Sequence, residues 1–164
     1  MSRPDPACRP LVIGVGNRHR GDDAVGPHVA ELVRSATAAA DTMVIDGDLS
    51  ALPLSWEADQ EVVVVDAMAS GRAAGTIEVM DGLTDDVSVD RRPVSSHGIG
   101  LADAIGLARV LGRLPRELTV VLIEGAGYGH LEPLSPEVEA AGRVVARRLV
   151  SGDDLHGTGR SGPR

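Results

Sequence analysis

Four consecutive valines, Val62 to Val65, run directly into Asp66. An unbroken apolar run of this kind belongs to a strand buried on both faces, the usual setting of a central strand in a parallel sheet. If that strand stops at 65, Asp66 stands at the carboxyl edge of the sheet, where open α/β folds place their ligands. Leu118 to Ile123 is a second continuous apolar run, and Leu11 to Val15 a third. With Phe absent and Trp56 and Tyr128 the only aromatics, Val, Leu, Ile and Ala must fill the core.

Between these strands the period changes. Val25, Val29, Leu32, Val33 and Ala36 recur at helical spacing, as do Leu101, Ile105, Leu107, Ala108 and Leu111. The first pattern predicts a helix with Pro27 at its first position, and the second predicts a helix over about 99–112. Ser135-Pro136 opens a last helix as N-cap and first residue. That helix has Glu137 and Glu139 in its first turn and Arg143, Arg147 and Arg148 near its end, in agreement with the helix dipole.

Met43–Ile45 reads as another strand, and Thr76–Met80 alternates as an edge strand does. A short helix is expected between Leu49 and Trp56, and loop over 81–93. Alternating strands and helices predict one α/β domain. Its open, mainly parallel twisted sheet of about five strands lies between helices, giving three α/β/α layers. Residues 1–9 read as a flexible lead-in, 10–150 as the domain and 151–164 as a disordered tail.

A formal net charge of −8 opposes nucleic-acid binding, which needs a concentrated basic face. Cys8 is the only cysteine, so neither an intrachain disulfide nor a thiolate zinc cluster can form. No apolar run reaches the length of a membrane span, and no secretory leader is recognisable; a cytoplasmic location without membrane partners is expected.

The loop Gly14-Val-Gly-Asn-Arg-His-Arg-Gly-Asp-Asp23 is a poor dinucleotide fingerprint. His19 occupies the position of the third glycine, and Asp22 and Asp23 bring negative charge to the place a pyrophosphate would take. There is no phosphate-binding Gly-Lys-Ser/Thr, no nucleophile elbow around Ser95 or Ser96, and no His-Glu-x-x-His helix.

What remains is a set of oxygen and nitrogen donors that resembles a metal site. Asp22 and Asp23 precede the first helix, and at least one of them only complements its dipole. Asp66 either caps the turn from Ala67 to Gly71 or meets a ligand. His97 lies in a short loop, Val94 to Gly98, ahead of a helix whose positive end favours neutral, metal-binding imidazole. Asp46 and Asp48 could serve as Asp66 does, and His19, His28, His130 and His156 read as surface residues.

Taken together, Gly14-Val-Gly-Asn-Arg-His-Arg-Gly-Asp-Asp-Ala-Val-Gly26, Val65-Asp-Ala67, Ser96-His97 and Gly100-Leu-Ala-Asp103 resemble the hydrogenase maturation endopeptidases. The similarity runs from the first strand to Leu134-Ser-Pro-Glu-Val138. The resemblance implies an endopeptidase that removes the C-terminal extension of a nickel–iron hydrogenase large-subunit precursor after nickel insertion. It also implies that Asp23, Asp66 and His97 are both the catalytic and the metal-gripping residues, with nickel supplied by the substrate. The first acid is often Glu in that family, and Asp23 is one methylene shorter. A noncatalytic metal-binding assembly protein and a nucleotide-binding α/β enzyme are the alternatives. Oligomeric state, cleavage site and the identity of the hydrogenase are not readable from the residues.

Overall fold

The computed structural model describes residues 9–87 and 98–158. Its elements are β1 (Leu11–Val15), α1 (Val25–Ala36), β2 (Asp41–Ile45), β3 (Glu61–Met68), β4 (Ile77–Asp81), α2 (Leu101–Val110), β5 (Glu117–Glu124) and α3 (Pro136–Ser151). Short 3-10 turns occupy Gly21–Ala24, Leu52–Leu54 and Leu155–Thr158. The strands form one sheet in the order β2-β1-β3-β5-β4. All neighbours are parallel except β4, which lies antiparallel along the outer side of β5. The expected three-layer α/β/α architecture is present.

The valine run explains the layers. Val62 and Val64 pack into an apolar cluster with Leu52, Trp56, Leu101, Ala104 and Ile105 under α2. Val63 and Val65 join Val25, Val29, Val33, Val138 and Val145 beneath α1 and α3. Successive side chains of a strand point to opposite faces, so an all-apolar run must be covered on both.

Several boundaries differ from the pattern-based reading, two of them next to the expected site residues. β3 does not stop at Val65: Asp66, Ala67 and Met68 remain paired with Leu122, Ile123 and Glu124 of β5. Asp66 therefore lies within a strand, one residue beyond the last pair that β3 makes with β1, Gly14 with Val65. α1 begins at Val25, two residues before Pro27. The proline still falls in the first turn, where amide N–H groups have no partner within the helix. His28, expected at the surface, is half-buried on α1 with its ring toward Gly142 of α3, and burial lowers its pKa; Glu139 opposes that shift and Arg143 adds to it.

The close helix–strand approach that a nucleotide fingerprint assigns to its third glycine occurs here at Gly26. A Cβ on Gly26 would overlap the carbonyl oxygens of Val15 and Val65, and one on Gly14 would overlap the carbonyl of Gly26. The obstructing atoms are backbone, so a rotamer change gives no relief. Gly26→Ala is expected to cost about 3 kcal/mol, read as a lower urea midpoint at unchanged m-value. A midpoint equal to that of the wild type would disprove this packing.

Candidate active site

The chain leaves β1, forms α1 on one face and returns as β2 beside β1. It then crosses to β3 on the other side of β1. The order reverses between β1 and β3, and at such a switch point the connections diverge and leave a crevice at the carboxyl ends of the strands. Asp23 follows β1, and Asp66 lies on β3 beyond its last pairing with β1. Two of the three expected site residues thus lie in the chain beyond the paired stretch of these two strands.

Asp23 is 8% exposed, in the 3-10 turn that leads from the β1 loop into α1. Its Oδ2 accepts the Asn17 N–H at 3.0 Å. Burial raises its pKa; the Asn17 N–H and the Arg20 charge act against that rise, and the negative charge of Asp46 adds to it. Asp46, immediately after β2, thus shares an electrostatic environment with Asp23. An acidic edge of this kind favours a cation over a phosphate.

Asp66 is half-buried, and its Oδ1 accepts the N–H of Ala67 at 2.8 Å. By strand alternation it shares the face of Val62, Val64 and Met68, the face that α2 covers. His97 lies outside the described residues, but the helix that follows it in the chain covers this same face. Among the described residues no group of three His, Cys, Asp or Glu side chains is placed to hold a metal ion.

Asp22 does something local patterns did not reveal. It is fully buried and points away from α1 into the loop between β5 and α3. Its carboxylate accepts the N–H groups of Ala126 (2.7 Å), Gly127 (3.0 Å) and Ser135 (2.7 Å), and the Ser135 hydroxyl at 2.8 Å. Burial would raise its pKa, but these bonds from Ser135, Ala126 and Gly127 outweigh it and the pKa is lowered. Ser135 is the N-cap residue of α3, yet its hydroxyl serves Asp22 and not the helix.

Glu124, which follows the apolar run Leu118 to Ile123, is a further buried carboxylate. At 2% exposure it accepts the N–H groups of Ser70 and Gly71, both at 2.9 Å, and the Ser70 hydroxyl at 2.7 Å. The Tyr128 hydroxyl donates to the Met68 carbonyl at 2.6 Å, and the Gly125 N–H donates to the same oxygen at 3.0 Å. These bonds tie the loops after β1, β3 and β5 into one frame behind Asp23 and Asp66. A carboxylate ending an apolar strand was the available signal for Glu124; its partners lie 53 and 54 positions away.

Comparison with known proteins agrees with this arrangement. Residues 27–151 match the family model described as hydrogenase maturation protease. The hydrogenase 2 maturation protease of Escherichia coli strain K12 is 31% identical over 139 residues, covering 80% of this chain and 82% of that protein. The hydrogenase expression/formation protein HoxM of Azotobacter vinelandii is 28% identical, covering 85% of this chain and 72% of its own length. The solution structure of an endopeptidase HycI from Escherichia coli superposes with a TM-score of 0.69 at 25% identity, covering 92% of this chain and 94% of that one. The fold and a sequence match over most of its length show that this chain belongs to the hydrogenase maturation protease family.

Proposed function

We propose that this protein cuts the C-terminal extension from a nickel–iron hydrogenase large-subunit precursor, and that it does so once nickel is in place. Asp23, Asp66 and His97 grip that nickel, which arrives with the precursor and is part of the substrate. What supports the reading is that Asp23 and Asp66 both lie in the chain beyond the paired stretch of β1 and β3, with α2, the helix after His97, over the face Asp66 shares.

The chemistry of the donors supports a borderline divalent ion. Two carboxylates and an imidazole suit such a metal, and softer thiolate ligands would stay with the precursor. Burial and the neighbouring Asp46 make Asp23 a site that gains from a positive charge. A divalent ion held there polarises a carbonyl or acidifies a water beside it. The chain contains no nucleophile elbow and no His-Glu-x-x-His helix, so a substrate-borne metal supplies what its own side chains lack.

The test is a time course of purified enzyme with nickel-loaded and nickel-free precursor. A single cut near the C-terminus of the loaded form is expected, while the nickel-free form stays intact. Equal rates on both forms would refute nickel sensing, and an intact loaded precursor would refute the activity itself.

A further inference from the structure

β2 is an outer strand of the sheet, with β1 as its neighbour on one side. The Asp41 N–H donates to the Pro10 carbonyl at 2.9 Å, and the Ile45 carbonyl accepts the Gly16 N–H at 3.0 Å. Both residues thus turn backbone groups toward β1. Successive residues of a strand turn these groups to opposite sides, so Thr42 and Val44 direct theirs outward. Among the described residues nothing pairs with that edge. Open donors and acceptors in a row are a template for one more strand.

Thr42 and Val44 also line a cleft of about 130 Å³ between β2 and α1, together with Arg18, Glu31 and Arg34. Small-molecule sites begin near about 300 Å³, so this cleft has room for a side chain and not for a cofactor. Arg18 and Arg34 each give one hydrogen bond to Glu31, at 2.9 and 2.6 Å. A guanidinium carries five N–H donors and no acceptor, so both keep donors to spare. Two cations sharing one carboxylate leave a local positive excess, in a chain whose net charge is −8. Asp41 at the start of β2 does not cancel it, because Arg9 lies 3.7 Å from that carboxylate. The cleft therefore suits a carboxylate.

The edge also leads to the site. Asp46, the residue after β2, is near enough to Asp23 to act on its charge. Arg18 lies in the loop after β1, next to Asn17, whose N–H donates to Asp23. Arg34 lies in the last turn of α1, before the start of β2. We propose that the outer edge of β2 receives the precursor's C-terminal extension as an added strand, with its carboxylates on Arg18 and Arg34. The extension runs from the carboxyl end of β2 toward Asp41. This inference rests on the proposed function, which supplies the substrate.

The experiment titrates a dye-labelled synthetic peptide of the extension with isolated enzyme and follows fluorescence anisotropy. Wild type is expected to bind it, and the double variant Arg18→Ala/Arg34→Ala to bind about tenfold more weakly. Both arginines are exposed, so the thermal midpoint should stay near that of wild type. Two further peptides carry N-methyl groups at all odd or all even positions. An added strand uses the N–H groups of alternate residues, so one of these should lose binding to wild type and the other keep it. Equal behaviour of the two methylated peptides would overturn the proposal, as would wild-type affinity in the double variant. No binding to wild type would overturn it too, the result expected if a second copy of the chain covers the edge. Binding requires neither nickel nor cleavage. An enzyme that binds the peptide but leaves loaded precursor intact therefore refutes the functional reading and keeps the docking edge, and one that cuts precursor but binds no peptide refutes the edge alone.

Discussion

Replacing Asp22 by alanine is expected to lower stability by about 4 kcal/mol, although the residue touches no substrate. The change leaves three amide N–H groups and the Ser135 hydroxyl without their acceptor. An unsatisfied donor costs about 1–3 kcal/mol where water cannot reach it; Ala126 is exposed and Gly127 and Ser135 half-buried, so solvent access and relaxation of the loop keep the total below the sum. A plain helix-dipole role would cost under about 1 kcal/mol, so a urea titration distinguishes the two. The same carboxylate gives a pH signature. Its folded pKa lies below the ordinary 3.8, so its contribution is complete above that value and is lost as pH falls through the lower folded value. The stability difference between wild type and Asp22→Ala should therefore narrow in acid.

Asp23→Asn is expected to behave in the opposite way. Burial disfavours the Asp23 charge and Asp46 disfavours it further, so removing it should raise the unfolding midpoint while ending cleavage. Loss of activity with a gain in stability at 23, against loss of stability at 22, identifies which of two adjacent carboxylates faces the crevice. If Asp23→Asn cleaves normally, Asp23 is not a ligand.

His97→Ala is the second large effect. Cleavage of nickel-loaded precursor is expected to fall on the order of 10³-fold, equivalent to about 4 kcal/mol in the barrier. The proposed role of this residue, which follows a polar stretch in the sequence and precedes a helix, is ligation and not packing. The unfolding midpoint should stay within about 0.5 kcal/mol of wild type. Near-normal cleavage by the variant would remove His97 from the site. A large drop in the midpoint would make its role structural.

The parts of this protein legible in the sequence are those set by local periodicity. The valine run predicted a strand covered on both faces, and Val62 and Val64 do pack opposite to Val63 and Val65. The alternation at 76–80 predicted an edge strand, and β4 is one. Ser135-Pro136 predicted the start of α3 to the residue. Side-chain direction along a strand or helix follows from a few dihedral angles, so nearby residues suffice to read it.

Strand order is not local, and it decided that β1 and β3 would be neighbours with a crevice between them. Pairing with β5 carried β3 on through Asp66 to Met68, where composition alone predicted a stop at the carboxylate. The fates of Asp22 and Asp23 were likewise set at long range. Two identical side chains in adjacent positions met different surroundings, one receiving donors from 104 to 113 positions away and the other the N–H of Asn17, six positions before it. A buried carboxylate is stable only where donors converge on it, and that convergence exists only after the chain has folded.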